Sequence, residues 1–116
     1  MTRSSRLTRN EDIKHVRQEG KSYAHRSIVL YLLPNQNEMN RIAIIAGRSV
    51  GGAVQRNLAK RRIRSAFQSI QKELSQGFDV VLIARKAILT WPYSNLLSEI
   101  NTLFRNSGLL KDKKID

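Results

Sequence analysis

The residues best suited to bind a charged partner lie in one stretch, AVQRNLAKRRIRSAF at positions 53–67, which contains five basic residues and no acidic one. Guanidinium groups bind phosphate through paired hydrogen bonds, and ammonium groups supply charge. On a helix, at about 100° per residue, polar members of this stretch form a stripe beside the apolar stripe. The polar stripe comprises Asn57, Lys60, Arg61 and Arg64, with Arg56 at its border. This spacing indicates a surface that binds a polyanion.

A basic helix could also be a solvated face or a membrane-surface segment. A solvated face usually mixes Glu with Lys to gain i,i+4 ion pairs, but the window between Glu38 and Glu73 contains eight basic residues and no acid. A membrane-surface helix needs an apolar face that is free to enter lipid. Here Ile63, Ala66 and Phe67 are required to cover neighbouring strands. Nucleic-acid binding is therefore the favoured interpretation.

The loop before this helix supports the same interpretation. The sequence GRSVGG at positions 47–52 places free backbone N–H groups at the N-terminus of the helix. An anion is favoured there by these groups and by the helix dipole. Arg48 adds a cation to the loop, so glycines, a helix start and positive charge together predict phosphate binding.

The remainder of the chain has no recognisable catalytic constellation. The two histidines, His15 and His25, are not spaced with acids as metal ligands, and no metal site is predicted. The absence of cysteine excludes a thiol nucleophile and a disulfide. There is no phosphate-binding loop ending in Lys-Ser/Thr and no nucleophile elbow. If the protein takes part in catalysis, the reacting groups are expected in another molecule.

Length and charge agree with a small nucleic-acid-binding protein. The 116 residues suit one domain, and the formal net charge of +12 favours a polyanionic partner. The longest apolar run, IVLYLL at 28–33, is far short of the roughly 20 residues of a membrane span. No apolar segment of a secretory signal follows the basic N-terminus. A soluble cytoplasmic protein is expected, without a membrane partner.

The predicted elements form an α+β domain, with a single central, mostly antiparallel sheet and helices packed on it. The order is α-β-β-(β)-α-β-α. A first helix is capped by Asn10 and ends at Gly20. Strands at 27–33 and 41–47 are expected to form an antiparallel pair, and another short strand is expected near 21–25.

The second half begins with the long basic helix, which is expected to run to about Ser75. DVVLIARKA, residues 79–87, predicts a central strand covered on both faces because its apolar run is nearly continuous. A last helix is expected to be capped by Ser94 and to end at Gly108. One domain therefore spans 1–116, with a flexible tail at 109–116.

The pattern V-x-R-N-x-x-K-R-x-x-R, which begins at Val54 and follows SVGGA, resembles the arginine-rich signature of the bacterial ribonuclease P protein component. LTRNEDIKHVRQEGKSYAHRSIVLY, residues 7–31, resembles the start of that family, and VVLIARKA, residues 80–87, resembles its last strand. The similarity covers nearly the whole chain. It implies a ribosomal protein S5 domain 2-like fold with a left-handed β-α-β crossover, against the usual right-handed rule.

The resemblance also implies a function. The family member is a non-catalytic subunit, and the RNA subunit uses RNA-bound Mg²⁺ to hydrolyse the phosphodiester that joins the 5′ leader to tRNA. The implied partners are the catalytic RNA, in a 1:1 complex with a protein monomer, and precursor tRNA. By position, contact with the catalytic RNA is expected from Arg48, Arg56, Asn57, Lys60, Arg61 and Arg64. The leader cleft is expected to contain Ile13, Lys14, Arg17, Arg26 and Tyr31.

The chain departs from the family pattern at several positions. Leu58 stands where the family often has a further arginine, and Ile13 and Arg17 stand where it often has aromatic residues. Arg17 could stack through its guanidinium plane or pair with phosphate. Tyr31 could equally be a plain core residue of its strand.

Two other functional classes fit a basic chain. One is a DNA- or RNA-binding regulator with no link to tRNA processing, but a helix-turn-helix regulator would be compact and usually dimeric. The other is a free-standing nuclease, which would need a cluster of acids or histidines. The two strands before the basic helix argue against the former, and the scattered acids argue against the latter.

Overall fold

The computed structural model describes residues 6–111. Their helices and strands are α1 (Asn10–Glu19), β1 (Lys21–Ala24), β2 (Ile28–Pro34), β3 (Arg41–Ile45), α2 (Ala53–Gln68), β4 (Phe78–Ala84) and α3 (Tyr93–Ser107), with short 3₁₀ turns at Gln71–Glu73 and Lys86–Leu89. The predicted α+β class is confirmed, and so is the additional short strand near 21–25, which is β1.

The sheet has the strand order β1-β2-β4-β3. β1 pairs with β2 and β2 with β4 in antiparallel fashion, whereas β3 and β4 are parallel neighbours joined through α2. The predicted antiparallel pair of β2 and β3 is therefore wrong, because β4 lies between them. β4 takes this central position since Val80, Val81 and Leu82 are fully buried and need neighbours on both edges and cover on both faces.

The two faces of the sheet are covered unequally. Strand alternation directs Ile28 and Leu30 of β2 toward one face and Tyr31 toward the other. The first face packs against α2 and α3 in the main core, where the rings of Phe67 and Phe104 lie 5.6 Å apart. The second face has a smaller core under α1, so part of its surface remains open for a site.

α2 buries the predicted apolar stripe, comprising Ala59, Ile63, Ala66 and Phe67. It ends at Gln68 rather than near Ser75, which corrects the predicted boundary. The Ser69 hydroxyl donates to the carbonyl of Ala66 at 2.6 Å, and this local bond competes with helix propagation. A 3₁₀ turn follows and leads the chain back toward β4.

The helix caps differ from the predicted ones. Arg9 and not Asn10 is the N-cap of α1, and Pro92 and not Ser94 is the N-cap of α3, because their carbonyl oxygens accept the first helical hydrogen bonds. Gly108 ends α3 as predicted, with a left-handed φ of 85°.

The end of the described chain is packed against the domain. Leu109 and Leu110 are buried, and the N–H of Leu110 donates to the carbonyl of Phe104. Leu110 also forms a β-bridge with Leu74. Leu109 and Leu110 therefore do not belong to the flexible tail expected at 109–116, and residues 112–116 of that prediction lie outside the described part.

Candidate nucleic-acid interface

The polar stripe of α2 lies on the side of the helix away from the core. Asn57 and Arg61 are exposed, and Arg56, Lys60 and Arg64 are half-buried. Long cationic side chains can pack their methylene groups on apolar surface while the charged ends stay in water. α2 has no acidic residue in its first turn, so its N-terminal charge is not offset there. Arg48 is exposed in the loop that leads into the helix.

Arg62 points away from this stripe, as the helical spacing predicts. Its guanidinium donates a hydrogen bond to the backbone carbonyl of Trp91, between the Lys86–Leu89 turn and α3. Arg62 therefore connects α2 to the following elements and is not available as a surface cation.

A groove separates the edge of the sheet from α2. The segment before α1 pairs with the edge strand, with the N–H of Leu7 donating to the carbonyl of Ile42 at 2.9 Å. The groove has a volume of about 550 Å³. Its lining residues are Arg6, Leu7, Thr8, Ile13, Ile42, Ala43, Ile44, Ile45, Lys60 and Arg64. Lys60 and Arg64 of the polar stripe thus border β3 as well as solvent.

A second hollow lies between α1 and β2 and has a volume of about 400 Å³. Its lining residues are Asn10, Ile13, Lys14, Arg17, Gln18 and Tyr31. The guanidinium carbon of Arg17 lies 5.8 Å from the centroid of the Tyr31 ring, within the range of a cation–π contact. Four of the five predicted cleft residues are therefore brought together. Because Ile13 lines both hollows, the cleft and the groove beside α2 adjoin each other.

Arg26 does not line this cleft. It lies in the turn between β1 and β2, and its guanidinium carbon is 4.7 Å from the ring centroid of Trp91. Trp91 packs against the main core on the α2–α3 side of the sheet, so this contact places Arg26 on that side, whereas Tyr31 packs against the smaller core under α1.

An ion-pair network at the start of β3 and β4 joins the two strands and approaches α1. Arg41 donates to both carboxylate oxygens of Asp79, at 2.8 and 2.7 Å, and its other terminal nitrogen is 3.9 Å from Asp12 of α1. Asn35 also donates to Asp79, at 2.9 Å. The hydrogen bonds to Asp79 raise the pKa of Arg41 above its ordinary value. Arg41 is the first residue of β3 and Asp79 is the second of β4. Only the parallel register of the two strands, in which Arg41 lies opposite Asp79, brings them together.

Within residues 6–111, no group of three or more His, Cys, Asp or Glu side chains lies close enough to hold a metal ion. The part of the chain that the structure describes also contains no helix with the length and apolar character of a membrane span.

Fold and surface together define a small, strongly basic α+β protein in which a cationic helix adjoins a cleft on the sheet. A family model described as Ribonuclease P matches residues 1–108. The ribonuclease P protein component of Clostridium botulinum (strain Loch Maree / Type A3) is 32% identical over 108 residues, which cover 92% of this chain and 97% of that one. The corresponding component of Bacillus cereus (strain AH187) is 35% identical over 115 residues, which cover 98% and 100%.

The fold agrees with that similarity. A solved structure of the RNase P protein from Thermotoga maritima matches with a TM-score of 0.75 at 28% identity, covering 86% of this chain and 96% of that one. The chain belongs to the ribonuclease P protein component family. Membership places it among ribonucleoprotein subunits of tRNA processing.

Proposed function

We propose that this protein binds the catalytic RNA of ribonuclease P and the 5′ leader of precursor tRNA, and so promotes endonucleolytic removal of the leader. The observation that carries the proposal is the junction of two surfaces at Ile13, where the cleft under α1 adjoins the groove bordered by Lys60 and Arg64. Because the two surfaces adjoin, a protein of this family could hold the substrate on one and the catalytic RNA on the other.

The α2 stripe is the proposed contact with the catalytic RNA. Arg56, Lys60 and Arg64 follow one another at i,i+4 spacing, where like charges repel by a few tenths of a kcal/mol per pair. Phosphate groups remove that repulsion and release counterions on binding. Arg48, Asn57 and Arg61 extend the same surface and can form directed hydrogen bonds to phosphate or base edges.

The cleft is the proposed contact with the leader. A single-stranded RNA segment is bound by stacking of its bases and by cations along its backbone. The Arg17–Tyr31 pair provides two flat groups on which a base can stack, and Lys14 provides a backbone cation. Ile13 supplies an apolar wall and no ring, so the stacking surface is centred on Arg17 and Tyr31.

Mg²⁺ belongs with the RNA subunit in this proposal. The protein's own contribution is to bind, to orient and to neutralise phosphate charge. We further propose that it acts in the cytoplasm as a monomer in a 1:1 complex with the RNA.

The test compares cleavage of precursor tRNA in Mg²⁺ by the protein alone, by the RNA subunit alone and by the two together. We expect no cleavage by the protein alone, and a gain in substrate affinity on assembly that depends on the leader. Cleavage by the protein alone would overturn the proposal, as would an affinity gain of the same size for a substrate without a leader. Equal binding to unrelated RNAs without stimulated cleavage would favour a general nucleic-acid-binding regulator.

Replacement of Arg17 by alanine tests the leader cleft separately. The Arg17→Ala holoenzyme should bind precursor tRNA more weakly and mature tRNA as before, because only the precursor has a leader. Lys72→Ala, on the turn after α2, is the matched loss of an exposed cation outside the cleft. Equal weakening for both RNAs would place Arg17 outside the leader site.

A further inference from the structure

The edge strand β3 is only partly paired on its outer side. β4 lies along its inner side. On the outer side, the segment before α1 forms a bridge from Arg6 to Ile42, and the N–H of Leu7 donates to the carbonyl of Ile42. The chain then leaves the sheet to begin α1. From Ala43 onward, β3 therefore has no outer neighbour within residues 6–111.

Ile44 presents a backbone donor and a backbone acceptor at this open edge. Backbone groups alternate between the two sides of a strand, so the N–H and C=O of Ile44 point the same way as those of Ile42, away from β4. The carbonyl of Ile42 is bonded to Leu7, but neither group of Ile44 is hydrogen-bonded to another residue of the described chain. Unpaired groups of this kind are a template for an added strand.

The groove between the sheet edge and α2 runs along this open edge and has two different walls. α2 forms one wall with Lys60 and Arg64, on the face of the sheet that holds the main core. Leu7 and Ile13 form the other wall, on the face covered by α1. The floor is β3 itself, whose side chains at 42–45 are all aliphatic. An extended segment in the groove would thus meet cations on one side and apolar groups on the other.

These features favour a peptide over the other possible occupants. Single-stranded RNA is recognised largely by stacking of its bases on aromatic rings, and none of the described residues that line the groove is aromatic. A second copy paired edge to edge would bring Lys60 and Arg64 of both copies together on one face, where like charges repel. An acidic strand would instead pair with these two cations and complete the hydrogen bonds of Ile44.

We propose that the open edge of β3 binds an extended acidic segment of a partner protein as an additional strand. Alternate side chains of such a strand point to opposite faces of the sheet. Acidic side chains then meet Lys60 and Arg64, and the intervening side chains meet Leu7 and Ile13. The site therefore selects a segment in which acidic and β-branched aliphatic residues alternate, over the roughly 10 Å that three residues of a strand span.

The inference goes beyond the proposed function. Lys60 and Arg64 also belong to the polar stripe of α2, so a bound segment and the catalytic RNA would exclude each other there. Such a partner would therefore bind the protein before it assembles with the RNA. The assays use the full-length protein without RNA, so the failure of either proposal leaves the other to be decided by its own measurement.

The first assay tests whether main-chain pairing contributes to binding. The probe is the peptide EVEVE, acetylated and amidated at its ends, and EEVVE has the same composition without the alternation. By fluorescence anisotropy, EVEVE should bind about tenfold more tightly than EEVVE, and methylation of its backbone nitrogens should weaken it by a similar factor. Equal affinity of all three peptides would overturn the proposal, because charge alone would then explain binding.

The second assay locates the peptide on the protein. In nitrogen–proton correlation spectra of the labelled protein, EVEVE should shift the amide of Ile44 and slow its exchange with solvent. The amide of Ser22, on β1 at the other edge of the sheet, is the control and should not change. A shift confined to residues outside β3, or protection of Ser22 equal to that of Ile44, would refute the assigned edge.

Charge variants of α2 complete the test. Lys60→Gln/Arg64→Gln should weaken EVEVE by about tenfold, whereas Arg56→Gln/Arg61→Gln removes the same charge from residues that do not line the groove and should have little effect. Equal weakening by the two double variants would indicate general attraction to the basic helix and would sink the proposal. Protection of the Ile44 amide by a short oligouridylate and not by EVEVE would assign the groove to RNA instead.

Discussion

Replacement of Glu99 tests whether buried hydrogen bonds to its carboxylate stabilise the β1–β2 turn. Its carboxylate lies under the β1–β2 turn and accepts the N–H groups of Ser27 and Ile28 at 2.7 and 3.1 Å, as well as the Ser27 hydroxyl. His25 Nδ1 lies 3.4 Å from the same carboxylate. Ser27 and Ile28 are fully buried, so water cannot replace the carboxylate if it is removed.

The size of the effect follows from the donors that lose their acceptor. Glu99→Ala leaves two buried backbone N–H groups and one hydroxyl without a partner, at about 1–3 kcal/mol for each buried unsatisfied group. Allowing for partial relaxation, we expect the free energy of unfolding to fall by roughly 3–5 kcal/mol, a large part of a typical total of about 5–15. Glu99→Gln keeps an oxygen for the N–H groups and should cost only about 1–2 kcal/mol.

Urea unfolding followed by circular dichroism, in buffer with sulfate, measures these differences. Glu73→Ala removes an exposed carboxylate and should change the free energy of unfolding by less than about 0.5 kcal/mol. The reasoning would be refuted if Glu99→Ala were as stable as Glu73→Ala, or if Glu99→Gln were as destabilising as Glu99→Ala. The first result would mean that the turn does not depend on Glu99, and the second would mean that an amide oxygen cannot replace the carboxylate.

The remaining predictions concern backbone packing, phosphate contacts and net charge. Gly20→Ala would place a Cβ 2.5 and 2.6 Å from two backbone carbonyl oxygens, so it should lower the free energy of unfolding in urea by about 2 kcal/mol. Gly47→Ala is the control and should be tolerated, because a Cβ at Gly47 meets nothing within 4 Å. Arg61→Ala and Arg64→Ala should each lower the salt slope of catalytic-RNA binding by about one; an unchanged slope would exclude a phosphate contact. With a net charge of +12, the protein should gain helical circular dichroism when sulfate is added at low ionic strength, and an identical spectrum without sulfate would contradict this.

The helical parts of the site could be predicted because their information is local. A helix has a fixed angle per residue, so the sequence alone separates the apolar stripe of Ile63 and Phe67 from the polar stripe of Arg61 and Arg64. The same angle places Arg62 on a different side of the helix, and in the structure its guanidinium donates to the carbonyl of Trp91. The family signature coincides with the same helix, so the resemblance and the helical periodicity point to one surface.

The ends of the elements were harder to predict, since several residues can satisfy the same backbone groups. Asn10 and Ser94 are good N-cap types, but the first helical carbonyls belong to Arg9 and Pro92. The apolar pattern continues past Gln68, yet α2 ends there because the Ser69 hydroxyl bonds to a carbonyl of the last turn. Small local energies decide such boundaries, and periodicity does not report them.

The sequence by itself determined the class of fold, the cationic helix and the family, because composition, period and motif are properties of neighbouring residues. Tertiary structure alone decided which strands are neighbours. With β4 between β2 and β3, Asp79 pairs with Arg41, and Arg26 lies over the Trp91 ring instead of in the leader cleft. Strand pairing joins residues distant in the chain, so its outcome depends on how the whole sheet buries its faces, which no local pattern encodes.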